Sequence, residues 1–192
     1  MDKKKIIRSA GVVGFFILLS RAFGLVREIA MASFFGSSLA MDAFVVAFRI
    51  PNLFRSLFGE GALSSAFVPV FTETLEKQGR EKAWSFACNM FSFLSLTLAA
   101  LVAAGILLAS LALVFLPLSP RIILILDLLR IMLPYMFFIC LTAFFSAILN
   151  SLRRFVLPAA TPVAMNIVMI AVLFLVCPFL PAAGDFNFLA EG

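Results

Sequence analysis

The stretch AWSFACNMFSFLSLTLAALVAAGILLASLALVFLPLSP, residues 83–120, decides the fold class of this chain. It contains no Asp, Glu, Lys or Arg, and it exceeds the roughly 20 apolar residues that cross a bilayer as a helix. Hydrophobic residues make up 64% of the 192 residues and charged residues 13%, whereas soluble domains average about 45–50% and about 25%. A water-soluble protein of this size cannot bury so much apolar surface. The sequence therefore predicts an all-α integral membrane protein.

Further apolar segments flank this stretch, and short polar connections separate them. The predicted transmembrane helices cover residues 6–35, 43–71, 84–116, 122–149 and 155–180. Short links favour antiparallel neighbours in a helical bundle. Residues 1–183 are therefore predicted to form one membrane bundle of five helices, and residues 184–192 are predicted to form an external tail.

The distribution of Lys and Arg predicts the orientation of this bundle. Basic residues cluster before the first span and in the connections after the second and fourth: Lys3, Lys4, Lys5, Arg8, Lys77, Arg80, Lys82, Arg153 and Arg154. The alternate connections hold only Arg121. Because cytoplasmic loops carry such an excess, the amino terminus is predicted to be cytoplasmic. After five spans the carboxyl terminus then lies outside.

Residue types that are missing or scattered exclude several kinds of site. The chain has no histidine, which removes histidine-based acid–base catalysis and histidine-ligated metals. Cys88, Cys140 and Cys177 lie far apart in apolar runs without a CxxC pair, and we interpret them as small core hydrophobes. No metal site and no cofactor are predicted.

The first two predicted spans carry charged residues that a lipid-facing helix tolerates poorly. An arginine at the bilayer centre costs about 2.5–3.5 kcal/mol on insertion scales. The charges must therefore face a water-filled cavity, pair with one another, or lie at the membrane interfaces. They are Arg21, Arg27, Glu28, Asp42, Arg49, Arg55 and Glu60.

Helical spacing places some of these charges on shared faces. Arg21 and Glu28 are seven residues apart, which is about two turns and nearly the same side of a helix. Asp42 and Arg49 have the same spacing. Such pairs share a face but are too far apart along the axis for a direct bond.

Two features of the second span limit this reasoning. Glu60 returns to the face of Arg49 after eleven residues, about three helical turns, but Pro51 is expected to interrupt the helix between them. Arg55 is predicted to face a cavity, as is the arginine at position 21. For Arg27 and Asp42, anchoring at the membrane interface is an equally good interpretation.

The preference for arginine indicates a ligand class. A guanidinium stays charged in a low-dielectric cavity and binds phosphate oxygens in a bidentate manner. The cluster therefore predicts a diphosphate or another polyanionic headgroup as the ligand. A proton relay through Asp42 or Glu60 is the competing interpretation of the membrane-embedded acids.

Several short motifs resemble the MurJ (MviN) family of lipid II flippases, and the resemblance extends to about residue 180. The motifs are SRAFGLVRE at 20–28, FG at 35–36, DAF at 42–44, AFRIPNLFR at 47–55, EGA at 60–62, AFVP at 66–69, AILN at 147–150 and FVLPA at 155–159.

This resemblance implies a fold, an activity and a site. The fold is an incomplete MATE-like lobe of the MOP exporter superfamily, which works by alternating access around a cationic cavity. The activity is translocation of lipid II, an undecaprenyl-diphosphate-linked peptidoglycan precursor, across the bacterial cytoplasmic membrane. The implied partners are lipid II and the membrane lipids that surround the helices. The implied substrate-binding residues are Arg21, Arg27, Arg55 and Asp42, with Ser20, Glu28, Arg49, Asn52 and Glu60 as possible supporting residues.

Two departures from the family pattern affect these expectations. Many relatives carry a second basic residue where this chain has Ser56. Relatives are also more than twice as long, with about fourteen membrane helices. We therefore expect the chain to be a piece that needs the missing carboxyl-terminal part of the same protein as its partner and does not flip lipid alone.

Three other interpretations compete with lipid II transport. Another diphosphate-linked lipid oligosaccharide fits the arginines equally well. A membrane enzyme needs a poised external carboxylate, but Asp127, Asp185 and Glu191 offer no paired arrangement with Asp42, so the chain is predicted not to be an enzyme. A non-transporting membrane assembly subunit is the third alternative.

Overall fold

The computed structural model describes residues 3–36, 38–176 and 179, and for residues 3–10, 59, 60 and 62–64 it describes the backbone alone. The prediction of an all-α protein is confirmed, because every regular element in this part of the chain is a helix. The predicted tail at 184–192 and the end of the fifth predicted span lie outside the described residues. The elements are α1 (Lys3–Phe35), α2 (Leu39–Ser56), a π-helical segment (Leu57–Phe67), α3 (Val68–Lys77), α4 (Arg80–Phe115), α5 (Pro120–Ser151) and α6 (Val156–Val176).

Among the described residues, three helices are long and apolar enough to cross a membrane, namely α4, α5 and α6. Their outward faces carry large apolar side chains, such as Leu96, Val114 and Ile131, which are 73%, 75% and 74% exposed. Apolar surface of this extent mediates aggregation in water but is solvated by lipid. Helices also satisfy their own backbone hydrogen bonds, as hydrocarbon requires. The chain is therefore a multi-pass membrane protein.

The chain divides into two helical units. The first unit combines Met1–Met41 with Arg153–Gly192, and the second consists of Asp42–Leu152. In the first unit α1 packs on α6, and in the second α4 packs on α5 with the π-helical segment and α3 beside them.

The first unit is a parallel helix pair. Gly24 lies beside Asn166, and further along both helices Phe34 meets Phe174 edge-on with ring centroids 5.6 Å apart. Sequence numbers rise together in these two contacts, so α1 and α6 run in the same direction. Their basic amino-terminal ends therefore lie at the same end of the unit.

One face of α1 makes this packing. Its members follow one another at spacings of four and three residues, the pattern by which a helix presents one side to a neighbour. They are Ser20, Gly24, Arg27, Met31 and Phe34. An arginine thus occupies a position in a packing face whose other members are small or apolar.

The second unit packs around Phe67, the last residue of the π-helical segment. The centroid of its ring lies 5.4 Å from that of Phe71 in α3, 5.7 Å from Phe86 in α4 and 4.9 Å from Phe144 in α5. Phe67 is 2% exposed. One side chain therefore joins four consecutive elements of the unit.

The cysteines have different positions in this unit. Cys140 is buried in the same core as Phe67, whereas Cys88 is exposed on α4. The interpretation as a core hydrophobe is therefore confirmed for Cys140 and wrong for Cys88, which lies on the outward side of its helix. Cys177 lies outside the described residues.

The helices α4 and α5 form an antiparallel hairpin with a close approach at Gly105. A Cβ atom at this position would lie 2.9 Å from Cδ1 of Leu133, which is itself buried. Small residues at such contacts let membrane helices approach closely, and association in lipid depends on this packing. Buried Ala83, Ala87 and Ala109 extend the same small-residue character along α4.

The second predicted span differs from expectation at Pro51. The helix α2 continues across this buried proline to Ser56, so the expected interruption is wrong. The chain then forms eleven residues of π-helix, in which hydrogen bonds close over i→i+5 instead of i→i+4. An α-helical count from Arg49 to Glu60 therefore does not apply, and the side chain of Glu60 lies outside the described part of the chain.

We predict that Phe67→Ala destabilises the second unit. Lipid is as apolar as the core, so the loss comes from packing, and three ring contacts at about 0.5–1.5 kcal/mol each set its scale. Unfolding in mixed micelles by added SDS measures the change in free energy of unfolding. The matched control is Phe93→Ala, because Phe93 is 67% exposed and should matter little. Equal destabilisation by both variants would contradict this account of the core.

Candidate functional site

The first unit contains a buried polar contact between α1 and α6. Nη1 of Arg27 donates a hydrogen bond to Oδ1 of Asn166 at 3.1 Å, and Nδ2 of Asn166 donates to the backbone carbonyl of Ser20 at 3.1 Å. Asn166 is 7% exposed and is the buried polar residue among those described. Its amide therefore links a charged side chain of α1 to the backbone of the same helix.

The level of this contact along α6 is informative. Asn166 lies ten residues from Val156 and ten from Val176, so it marks the midpoint of a helix that can cross a membrane. Arg27 is held at this level by direct contact. On its own helix Arg27 lies eight residues before Phe35, the last residue of α1, so its place at the interface or in a cavity stays a prediction.

The guanidinium of Arg27 is only partly satisfied by the protein. Nη2 lies 3.4 Å from Oε1 of Glu28, whose side chain is 71% exposed. Nε is buried and has no hydrogen-bond partner among the described residues. Buried N–H groups nearly always have an acceptor, so Nε of Arg27 is an exception within the described part of the chain.

The other predicted residues of α1 lie on a different face. Arg21 and Glu28 are both exposed from the first unit, as their seven-residue spacing suggests. Ser20 is half-buried and contributes its backbone carbonyl. The structure thus brings Ser20 and Arg27 together through Asn166 and leaves Arg21 on the outward side.

In the second unit, Asp42 has a partner that the sequence analysis did not identify. Oδ2 of Asp42 lies 3.6 Å from Nη2 of Arg121, and the two side chains are 64% and 58% exposed. Asp42 is in the first turn of α2 and Arg121 in the first turn of α5. Exposed pairs of this kind contribute about 0–1 kcal/mol, so the pair orients Asp42 more than it stabilises the unit.

Arg55 is also oriented by an asparagine. Its Nε donates a hydrogen bond to Oδ1 of Asn52 at 3.0 Å, across one turn near the end of α2. Arg49 and Asn52 are exposed from the unit, and Arg55 is half-buried. The polar face of α2 therefore lies opposite its packed face, which consists of Ala43, Ala47 and Pro51.

Two residues outside the predicted set belong to the candidate site. Asn166 is an amide in the middle of an apolar run, a signal that sequence analysis can detect but cannot pair with Arg27 across 139 positions. In the sequence, Arg121 indicates only the orientation of the chain in the membrane. Its pairing with Asp42 depends on how α2 and α5 pack.

The chemistry available to these residues is binding of anions. Guanidinium groups donate several hydrogen bonds in a fixed plane and match phosphate oxygens. The asparagine amides that touch Arg27 and Arg55 carry no charge, so both arginines have a neutral acceptor beside them. No group of three His, Cys, Asp or Glu side chains that could hold a metal ion occurs among the described residues.

Comparisons with known proteins identify a family of similar sequences. The sequence model of the family described as "Lipid II flippase MurJ" matches residues 31–188. The chain is 42% identical over 181 residues to the lipid II flippase MurJ of Burkholderia cenocepacia, covering 91% of this chain and 35% of that protein. It is 38% identical over 170 residues to the probable lipid II flippase MurJ of Rickettsia prowazekii, covering 86% and 33%.

A third relative extends the match further along the chain. Identity to the probable lipid II flippase MurJ of Bdellovibrio bacteriovorus is 37% over 197 aligned positions, covering 96% of this chain and 36% of that protein. The chain thus spans about a third of the length of the curated relatives it matches.

Proposed function

Because the chain belongs to the lipid II flippase MurJ family, we propose that it provides helices that bind and move lipid II across the bacterial cytoplasmic membrane. The observation that carries this proposal is Arg27, which Asn166 holds at the midpoint of α6 with donors left over. The phosphate oxygens of a diphosphate-linked lipid accept hydrogen bonds from those donors. Movement from the inner to the outer leaflet needs binding and release but no covalent chemistry, so the proposed activity is transport and not catalysis.

Energetics favour an anionic ligand for this arginine. An arginine at the bilayer centre costs about 2.5–3.5 kcal/mol on insertion scales, and one neutral hydrogen bond returns only part of such a cost. Glu28 is exposed and its oxygen is 3.4 Å from Nη2, so it neutralises Arg27 weakly. A phosphate group adds further negative charge and further acceptors.

Arg55 supports the same proposal from the second unit. Its Nε hydrogen bond to Asn52 orients the guanidinium. We propose that Arg21, Arg27 and Arg55 each contribute to holding the diphosphate, with Asp42 as an acidic residue whose orientation depends on Arg121. Ser20, Glu28, Arg49, Asn52 and Glu60 are proposed as supporting residues.

The proposed topology places the amino terminus in the cytoplasm. The parallel arrangement of α1 and α6 brings the basic residues before α1 and those before α6 to one end of the first unit. Cytoplasmic ends carry such an excess. We propose that residues 1–183 form a five-span bundle in which the segments containing α1 and α2 also cross the membrane, as part of one MATE-like lobe of the MOP superfamily.

Transport itself is proposed to need further helices. Alternating access depends on two bodies that rock about a site near the midplane, and the relatives are about three times as long as this chain. We propose that the chain acts with the part of the protein that corresponds to the rest of those relatives. The lipid contact is then made by the residues of α1 and α2 described above.

We predict that removing Arg27 or Arg55 slows transport strongly. In a chimera, this chain replaces the aligned third of the Burkholderia cenocepacia flippase, and growth is measured in cells depleted of their own flippase. Hydrogen bonds to charged groups contribute about 1.5–3 kcal/mol, so Arg27→Ala and Arg55→Ala should slow headgroup exposure on the order of ten- to a hundredfold. Arg80→Ala removes the same charge from a connection and should grow normally.

This experiment has two outcomes against the proposal. Growth of the Arg27→Ala and Arg55→Ala chimeras at the rate of the unmodified chimera would show that these arginines do not hold the diphosphate. An unmodified chimera that inserts in the membrane but supports no growth would show that this chain does not supply a working lobe.

We also predict the labelling pattern of two connections. In a variant with Ala at the three native cysteine positions, Ser119→Cys should react with an impermeant maleimide in intact spheroplasts. Gln78→Cys should react only after the membrane is permeabilised, because the connection from Lys77 to Lys82 is proposed to be cytoplasmic. The reverse pattern would show that the amino terminus lies outside.

A further inference from the structure

The orientation of the Asn166 amide is determined by its neighbours. An asparagine can usually be placed with its oxygen and nitrogen exchanged. Here the guanidinium of Arg27 has only donors and the carbonyl of Ser20 is only an acceptor. Oδ1 must therefore face Arg27 and Nδ2 must face Ser20, as the structure has them.

The amide is also anchored to a rigid partner. Its nitrogen bonds a backbone carbonyl within α1, which cannot rotate as a side chain does. Gly24, one turn further on, leaves room for this approach, since a Cβ atom there would lie 3.7 Å from Nδ2. With Asn166 almost fully buried, the position of Oδ1, and with it that of Nη1 of Arg27, is set by the packing of α1 on α6.

The chemical nature of the anchor matters as much as its position. A carboxylate at the same place would form an ion pair with Arg27 and cancel its charge in a low-dielectric setting, where such attraction is strong. An amide oxygen accepts the same hydrogen bond and leaves the full positive charge. Asn166 therefore orders the guanidinium without competing with an anionic ligand.

The remaining donors of Arg27 that a ligand can reach lie at the end of the guanidinium. Nη1 donates to Asn166 and Nη2 donates to Glu28 at 3.4 Å, and each of these nitrogens carries a second N–H. Nε is buried, so a phosphate can approach only the two Nη groups, whose N–H donors match its oxygens. The hydrogen bond to Asn166 thus fixes the orientation in which these groups are presented.

We propose that Asn166 is the positioning residue of Arg27, a neutral anchor that holds the guanidinium in place for a lipid diphosphate without adding a second carboxylate beside it. This inference rests on the proposed function, because it assigns Asn166 a role in the binding of the same ligand. The inference adds that an amide at position 166 is required for binding of the ligand and not only for stability of the fold.

The test compares variants of the whole chain in lipid nanodiscs. The probe is undecaprenyl diphosphate, and its Kd and the thermal unfolding temperature are measured for the unmodified chain and for Asn166→Asp, Asn166→Ala and Arg27→Ala. The matched control is Asn89→Asp, which adds the same carboxylate to an exposed position on α4.

Asn166→Asp separates positioning from stability. The introduced carboxylate keeps an acceptor for Arg27 but, like Ala, cannot donate to the carbonyl of Ser20, so this variant should unfold at or above the temperature of Asn166→Ala. Its Kd should nevertheless rise about tenfold or more, approaching that of Arg27→Ala, because the charge of the guanidinium is cancelled. Asn89→Asp should bind as the unmodified chain does.

Asn166→Ala tests the loss of the anchor itself. Removing one hydrogen bond to a charged group should raise the Kd about three- to tenfold and lower the unfolding temperature. A binding defect in Asn166→Ala together with unimpaired binding in Asn166→Asp would overturn the proposal, because it would show that any polar contact at this position suffices.

The remaining outcomes distinguish this inference from the proposed function. If the unmodified chain does not bind undecaprenyl diphosphate, or if Arg27→Ala binds equally well, the proposed role of Arg27 fails. If Arg27→Ala loses binding while both variants of Asn166 retain it, the positioning role of Asn166 alone is refuted.

Discussion

An arginine packed against a helix that can cross a membrane must find its hydrogen-bond acceptors within the protein or on a ligand, because hydrocarbon offers none. In this chain Asn166 meets part of that constraint. It accepts a hydrogen bond from Arg27 and donates one to the carbonyl of Ser20. The contact lies on the packed face of α1, where Gly24 leaves room for Asn166. The partly satisfied arginine that results is the feature from which ligand chemistry follows.

The second unit meets a different requirement, because it must keep a polar helix face available while the rest of the unit packs. The aromatic contacts of Phe67 join α3, α4 and α5 to the π-helical segment that follows α2. The packed side of α2 consists of Ala43, Ala47 and Pro51, so its polar side, with Asn52 and Arg55, is not consumed by the core. Rigid packing and exposed charge are thus divided between the two sides of one helix.

Much of this arrangement can be read from the sequence, and the rest depends on contacts between distant segments. The long apolar runs indicate the helices, and the seven-residue spacing of Arg21 and Glu28 agrees with their common exposure. The pairing of Arg27 with Asn166 requires knowing that α1 and α6 run parallel, since no local pattern joins positions 139 apart. Continuation of α2 through Pro51 was likewise not predictable, because neighbouring helices can re-satisfy backbone groups that a proline releases.

The account depends most on direct contact between the arginine of α1 and a lipid diphosphate. Solid-state NMR on the chain in bilayers, with ¹⁵N-labelled arginine and undecaprenyl diphosphate, measures this through the dipolar coupling of guanidinium nitrogen to ³¹P. Charge-assisted hydrogen bonds place these nuclei within about 4 Å, so the account predicts a coupling that weakens in Arg27→Lys, which keeps the charge but removes the labelled group. Absence of the coupling, or a coupling that Arg27→Lys leaves unchanged, would contradict it.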